Sequence, residues 1–187
     1  MTDDLKNAVS ILQQGGVILY PTDTIWGLGC DATNEKAVQR IFEIKKRMDT
    51  KAMLVLLDSA TKIQTYISEM PEIAWDLIEL SEKPITIIYP QAKNLASNLV
   101  GEDKSIGIRI TSELFSKSLC ERFRKPIVST SANLSGEKSP LNFSDISDEI
   151  ISKVDYVVKY KQEEICNNTP SSIVKIDPGN VIKIIRA

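Results

Sequence analysis

The chain has 187 residues, 42% of them hydrophobic, and a formal net charge of −2 at pH 7. That length suits one domain with a core that needs neither disulfides nor metals, and the slightly acidic balance argues against a protein whose main task is to neutralise nucleic-acid phosphates. The sequence contains no histidine, which excludes Ser-His-Asp and Cys-His catalysis and most catalytic zinc sites.

The hydrophobic pattern predicts helices and strands that alternate along the chain. The first is a helix around Leu5 to Leu12, which Gly15 and Gly16 end before a buried strand. A second helix follows the loop Pro21 to Gly29, with Thr33 or Asn34 as its N-cap. The predicted helices cover 5–12, 37–44, 60–67, 72–80, 113–123 and 145–152, and the predicted strands cover 17–20, 53–57, 85–89, 105–110, 126–129, 156–158, 172–176 and 181–185.

The last two predicted strands are joined by Asp177-Pro-Gly-Asn180, where a proline followed by a glycine suits a type II turn. An antiparallel hairpin at this position makes the sheet mixed rather than purely parallel. Because no internal repeat, low-complexity tract or long linker divides the chain, residues 1–187 are predicted to form a single α/β domain.

The cysteines and the N-terminal segment provide a prediction of the cellular compartment. Cys30, Cys120 and Cys166 are far apart and odd in number, which indicates neither a disulfide framework nor a zinc site and fits a reducing environment. The acidic N-terminus has no apolar signal core, and no apolar run approaches the roughly 20 residues that cross a bilayer. We therefore expect a cytoplasmic protein that does not span a membrane.

Two segments carry polar residues that have both a structural and a functional interpretation. Thr22 and Thr24 can orient a small polar ligand, since strand ends in open α/β sheets carry binding loops. Turn chemistry alone favours a loop that its own side chains stabilise. Lys45 and Arg47 can clamp a polyphosphate and stabilise charge during group transfer. The alternative is a solvated basic end of the second helix.

Two further features are a hydroxyl-rich segment and a charge inside a strand. The segment Ser129 to Gly136 suits hydrogen bonds to phosphate or ribose oxygens, with a simple turn as the alternative. Ser131 is not expected to act as a nucleophile, because no histidine is present to activate it. Arg109 interrupts an apolar strand, so its charge must meet solvent, a carboxylate or phosphate ligand, or an internal ion pair. Neither of the usual glycine-rich nucleotide loops occurs.

Taken in order, these segments resemble the YrdC/Sua5 family, the threonylcarbamoyl-AMP synthases that begin the t6A modification of tRNA. Tyr20 to Gly29 is similar to the family's YPT-[DE]-T-x-[YW]-GLG opening, and Lys45 to Arg47 to its KxR element. Ser131 to Gly136 is similar to its SANxSG loop. Ser105 to Arg109 and Ser171 to Val174 are similar to its TVAVR and STVV strands. The resemblance covers nearly the whole chain.

The resemblance implies a YrdC-like fold, which is a twisted, open, mixed α/β sheet flanked by helices, and a single catalytic domain that is a nucleotidyltransferase. Its reaction would join L-threonine, bicarbonate or CO₂, and ATP with Mg²⁺ to give threonylcarbamoyl-AMP and pyrophosphate, and downstream t6A transferase proteins would accept the product. Lys45 and Arg47 would be catalytic, with no metal site on the protein. ATP would contact Lys45, Arg47, Ser105, Ser131, Asn133, Ser139 and Arg186, and L-threonine would contact Thr22, Arg109, Ser129 and Ser171.

The chain departs from the family at several places, and two other hypotheses stay open. Leu56 stands where the family has a histidine associated with threonine binding, and Met48 stands where it commonly has a proline. The first departure suggests a sister-branch adenylating enzyme for another amine. The basic segment Arg122 to Lys125 suggests a non-catalytic module that binds double-stranded RNA or tRNA, for which binding would be tight and salt-sensitive.

Overall fold

The computed structural model describes residues 1–46, 53–164, 170–177 and 179–187. Its helices are α1 (Thr2–Gln13), α2 (Glu35–Ile44), α3 (Glu72–Glu79), α4 (Leu114–Phe123) and α5 (Asp148–Ile151). Its strands are β1 (Ile18–Tyr20), β2 (Gly27–Gly29), β3 (Leu54–Leu57), β4 (Ile85–Tyr89), β5 (Ile106–Ile110), β6 (Ile127–Ser131), β7 (Tyr156–Val157), β8 (Ser172–Asp177) and β9 (Val181–Arg186). Short 3₁₀ helices cover Ala60–Thr65 and Phe143–Asp145.

The strands of the described residues form one mixed sheet in the order β7-β1-β2-β6-β3-β5-β4-β8-β9. Three neighbouring pairs are parallel, β1 with β7, β3 with β5 and β4 with β8. The last two strands pair antiparallel, as predicted. The sheet is open, because β7 and β9 each have a single partner strand. The predicted α/β class and mixed sheet are thus confirmed.

Helix ends follow the local chemistry of the sequence. The side-chain oxygen of Asn34 accepts hydrogen bonds from the backbone N–H groups of Lys36 and Ala37, so Asn34 and not Thr33 caps α2. The φ of Gly15 is +77°, a conformation open to glycine that turns the chain out of α1 and towards β1.

Three predicted boundaries were wrong. The segment Gly27–Gly29 is strand β2 and not loop, β6 continues to Ser131, and α5 covers only Asp148–Ile151 of the predicted 145–152. Glycine has low strand propensity, so no local pattern marks β2. Its position between β1 and β6 explains the glycines, since a Cβ on Gly29 would lie 2.6 Å from Tyr20 Cε1.

The core lies between the sheet and the helices, and its largest fully buried side chains include Trp26, Tyr20 and Tyr89. Cys30 and Cys120 are buried free thiols, and burial raises the pKa of both. Cys166 and Pro178 lie outside the described residues. None of the helices in the described ranges has the length and apolar character to cross a bilayer.

Candidate functional site

A cavity of about 270 Å³ opens over one face of the sheet, where β2, β3, β5, β6 and the ends of β8 and β9 come together. Its wall includes all four residues predicted to contact L-threonine, which are Thr22, Arg109, Ser129 and Ser171. It also includes three of the residues predicted to contact ATP, which are Ser131, Ser139 and Arg186. The structure therefore gathers most of the predicted site residues around one space, from segments more than 160 positions apart in the chain.

Arg109 is the unusual charge of this cavity. It is only 4% exposed, and its Nη1 donates to the hydroxyl of Thr24 over 3.1 Å. Its Nε is buried and has no hydrogen-bond partner among the residues that the structure describes. Within the described residues, no ion pair of 4.0 Å or shorter involves Arg109. Desolvation by burial lowers the pKa of its guanidinium, and the negative charge of Asp23 acts in the opposite direction. Arginine stays protonated in proteins, so the cavity wall holds a buried positive charge that a bound anion can neutralise further.

The loop after β1 is both a structured turn and a cavity wall. The hydroxyl of Thr22 donates to the carbonyl of Ile25 over 2.8 Å and lies 3.2 Å from the hydroxyl of Thr24. The Asp23 carboxylate accepts from the Thr111 hydroxyl and the Glu113 backbone N–H, and these bonds lower its pKa against the effect of its burial. The two interpretations of this loop are therefore compatible, because its internal bonds orient the threonines that line the cavity.

Trp26 is a further residue of the cavity wall. Its side chain is fully buried and packs against Phe143 with ring centroids 4.9 Å apart. In the described part of the chain, the buried indole Nε1 has no hydrogen-bond partner. Sequence reasoning missed Trp26, since nothing in its local pattern separates a core tryptophan from a site residue.

Lys45 lies behind the cavity and holds the hydroxyl-rich loop. It is 4% exposed, and its Nζ lies 2.6 Å from Ser131 O, 2.7 Å from Asn133 O and 3.2 Å from Asn133 Oδ1. Its own carbonyl accepts from Ser135 N. Lys45 thus positions the loop, whereas Arg47, its predicted catalytic partner, lies outside the described residues.

The Ser131 to Asn133 turn is a compact hydrogen-bonded unit. The Ser131 hydroxyl donates to Asn133 Oδ1, and the Asn133 amide donates to the carbonyl of Glu137 over 2.7 Å. Of the predicted ATP contacts here, Ser131 and Ser139 line the cavity, but Asn133 does not. Asn133 is linked to the cavity wall indirectly, because it accepts hydrogen bonds from Ser131, which lines the cavity, and from Lys45.

The far wall of the cavity is a contact between β9 and the start of β8. Arg186 Nε and Nη2 donate to the Ser171 carbonyl over 2.9 and 2.7 Å. The Ser171 hydroxyl lies 2.9 Å from that of Thr86 on β4. Arg186 is therefore fixed against the wall by two bonds and faces the same space as Arg109.

Ser105 and Leu56 lie outside the wall of the cavity. Ser105 does not line the cavity, and its backbone N–H donates to Asp103 Oδ1 over 3.0 Å. Leu56 is fully buried and lies opposite Arg109 in the β3–β5 register. It also does not line the cavity. In the basic segment Arg122 to Lys125, the Nζ of Lys125, which follows α4, lies 2.7 Å from Asp31 Oδ2. This ion pair neutralises part of the positive charge that was proposed to bind RNA.

The carboxyl group next to Ser105 provides a pH-dependent contribution to stability. Hydrogen bonds, first from Lys175 and then from Ser105, lower the pKa of Asp103 to about 2. Because this value lies below the roughly 3.9 of an unfolded aspartate, the contribution is complete above about pH 4 and is lost as the pH falls towards 2. We expect Lys175→Met to raise the pKa of Asp103 towards about 4, as followed by NMR titration of the carboxyl group. Lys183→Met is the matched control, and an unchanged Asp103 pKa in Lys175→Met would contradict this assignment.

Comparisons with known proteins agree with the fold and the ordered motifs. Residues 10–187 match the Sua5/YciO/YrdC family model, described as "Telomere recombination". A protein of Pseudoalteromonas translucida named threonylcarbamoyl-AMP synthase is 36% identical over 172 residues, which are 90% of this chain and 90% of the relative. One of that name from Acinetobacter baumannii is 30% identical, over 98% of this chain and 99% of the relative.

A solved structure extends the comparison of the fold. The crystal structure of P. abyssi Sua5 complexed with L-threonine superposes with a TM-score of 0.86 and 24% identity. The match covers 95% of this chain and 52% of that one, so this chain spans about half the length of that protein. The likeness confirms the predicted YrdC-like fold.

Proposed function

Because the chain belongs to the Sua5/YciO/YrdC family, we propose that it is a threonylcarbamoyl-AMP synthase. In this proposal residues 1–187 act as one catalytic domain. The enzyme forms threonylcarbamoyl-AMP and pyrophosphate from L-threonine, bicarbonate or CO₂, and ATP. The product then serves the t6A modification of tRNA through separate transfer proteins.

The observation that carries the proposal is the buried guanidinium of Arg109. A buried cation without an ion-pair partner in the described residues is costly unless a ligand supplies the negative charge. The carboxylate of an amino acid has that charge and two acceptor oxygens, which suit a guanidinium. The hydroxyls of Thr22, Ser129 and Ser171 lie around the same cavity, and each is able to bond the polar groups of L-threonine.

The nucleotide is proposed to lie in the same cavity. Ser131, Ser139 and Arg186 line it, and Lys45 binds the turn that carries Ser131. Arg186 offers a guanidinium to phosphate oxygens. Mg²⁺ would enter with ATP, bound to its phosphate oxygens as part of the substrate. Arg47, by its place in the KxR element, is proposed to stabilise charge on the phosphates.

The reaction needs positioning more than acid–base catalysis. The amine of L-threonine and CO₂ form a carbamate, whose oxygen attacks the α-phosphorus of ATP. The new P–O bond replaces the bond to pyrophosphate, which leaves with the electron pair. No imidazole base is required, which suits a chain without histidine. The work of the protein is to orient the reactants and to neutralise the developing charge.

The test is pyrophosphate release with ATP, Mg²⁺ and bicarbonate, in reactions with L-threonine, L-serine, other amino acids or no amino acid. Release that depends on L-threonine supports the proposal. Release that depends on another amine would indicate the same reaction with a different substrate, as in a sister-branch enzyme. No release with any amine, together with tight and salt-sensitive tRNA binding, would overturn the proposal in favour of a binding module.

A further inference from the structure

Thr24 is a threonine of the candidate site that was not among the residues predicted to contact either substrate. It lines the cavity and is 4% exposed. Its hydroxyl oxygen accepts a hydrogen bond from Arg109 Nη1 over 3.1 Å. Within the described ranges of the chain, this is the one hydrogen bond that the Arg109 guanidinium makes. Thr24 is therefore the group that can fix the orientation of the buried guanidinium.

The hydrogen bonds around Thr24 have a fixed direction. The Thr22 hydroxyl has one proton and lies 2.8 Å from the carbonyl of Ile25, which can only accept it. In the 3.2 Å contact between the two threonine hydroxyls, Thr24 must therefore be the donor. Its proton is directed to Thr22, so its oxygen lone pairs are left to accept from Arg109 Nη1.

The loop that carries Thr24 is tied to the strand that carries Arg109. The carboxylate of Asp23, the neighbour of Thr24, accepts from the Thr111 hydroxyl over 2.6 Å and from the Ser112 backbone N–H over 2.7 Å. Thr111 follows directly after β5, which contains Arg109. Because these bonds hold the two backbones together, the Thr24 hydroxyl has a fixed place relative to Arg109 before a ligand binds.

The orientation of a guanidinium decides how well it binds a carboxylate. Its planar fork offers two parallel N–H groups, which match the two carboxylate oxygens when the two planes are aligned. A free arginine side chain has several rotamers, and selecting one of them at the moment of binding weakens the affinity. A hydrogen bond that selects the orientation in advance removes that loss.

We propose that Thr24 is a positioning residue of the amino-acid site, which holds the Arg109 guanidinium in the orientation that receives the substrate carboxylate. Thr24 acts through Arg109 and does not touch the reacting atoms. This role rests on the proposed function, because the carboxylate is that of the amino-acid substrate.

The kinetic test compares Thr24→Val, which removes the hydroxyl and keeps the shape, with Thr24→Ser, which keeps the hydroxyl. Thr24→Val is expected to raise the KM for L-threonine about tenfold, the effect of one hydrogen bond. The KM for ATP and kcat should stay within about twofold, and Thr24→Ser should restore the KM for L-threonine to within about twofold. Thr61→Val, which removes a hydroxyl that bonds Ser59 outside the cavity wall, is the matched control.

Two further measurements do not depend on turnover. The side-chain Nε–H signal of Arg109 in NMR spectra, identified by its loss in Arg109→Met, should shift in Thr24→Val and stay in place in Thr24→Ser. L-Threonine binding without ATP should weaken about tenfold in Thr24→Val. If the wild-type protein binds L-threonine but releases no pyrophosphate, the proposed function fails, whereas these two shifts in Thr24→Val still support the positioning role.

A double substitution shows whether Thr24 acts through Arg109. In the Arg109→Met background, Thr24→Val is expected to have no further effect on L-threonine binding, because the guanidinium that it would orient is absent. An equally large effect in that background would overturn the proposal. So would an unchanged Arg109 signal and L-threonine affinity in Thr24→Val, or an equal rise in the KM of both substrates, which would indicate a general change in the shape of the loop.

Discussion

Arg109→Met is expected to weaken amino-acid-dependent pyrophosphate release strongly without unfolding the protein. Removing one partner of a buried hydrogen-bonded charge pair costs about 2 to 5 kcal/mol. Catalytic efficiency with L-threonine should therefore fall by about 30-fold to several thousand-fold. The loss should appear mainly as a raised KM for the amino acid, since the guanidinium is proposed to bind the substrate carboxylate.

The stability of this variant distinguishes a binding residue from a structural one. Arg109 is buried, with the Thr24 hydroxyl as its hydrogen-bond partner over 3.1 Å. A buried charge that lacks an ion-pair partner is costly, so an apolar side chain of similar volume at this position removes that cost. Thermal unfolding of Arg109→Met should thus match or exceed that of the wild-type protein. Arg122→Met, in the last turn of α4, is the matched control and should keep full activity.

Two results would contradict the prediction for Arg109. Full activity in Arg109→Met would remove the guanidinium from the substrate site. A large drop in the unfolding temperature would show instead that groups within the folded protein already neutralise the guanidinium. A bound carboxylate would then not be needed to balance its charge.

Lys45→Met is expected to lower both stability and activity. Its ammonium donates to the carbonyls of Ser131 and Asn133 over 2.6 and 2.7 Å. The substitution removes both bonds, although the Ser131 carbonyl still accepts from the Asn133 backbone N–H. Hydrogen bonds to charged groups contribute about 1.5 to 3 kcal/mol each, so we expect a loss of about 3 kcal/mol in the free energy of unfolding. Urea denaturation measures this loss, and pyrophosphate release should fall because the Ser131 turn is no longer held.

Lys46→Met is the neighbouring control for this measurement. Lys46 is largely exposed and pairs with Glu149 over 2.7 Å, a type of surface pair that contributes little. Its replacement should leave both stability and activity near the wild-type values. If Lys45→Met instead lost activity at unchanged stability, the positioning role would be wrong, and a direct contact with the ATP phosphates would be the better explanation.

Local patterns predicted most of the elements because the forces behind them are local. Apolar residues at helical spacing gave α1, α2 and α4, and the capping chemistry at Asn34 fixed the start of α2. The unmarked strand was β2, whose glycines have low strand propensity and are held by pairing on both edges. Its assignment depends on residues more than 100 positions away.

The candidate site was likewise predicted in part from the sequence, and the rest became visible only in the tertiary structure. The ordered motifs were enough to nominate Thr22, Arg109, Ser129 and Ser171, which the fold brings to one cavity. They did not indicate that Arg109 is buried with an unpaired Nε, or that Lys45 binds loop carbonyls. These facts depend on distances between side chains from different strands, which no spacing along the chain encodes.

The sequence by itself thus determined the class of the fold, the family and the residue types available for chemistry, including the absence of an imidazole base. Only the tertiary structure decided which polar groups remain unpaired and where. Periodicity and motif order are properties of neighbouring residues, whereas burial and hydrogen-bond satisfaction result from packing of the whole chain. Within the described residues, the buried Arg109 Nε and Trp26 Nε1, which have no hydrogen-bond partner there, are results of that packing.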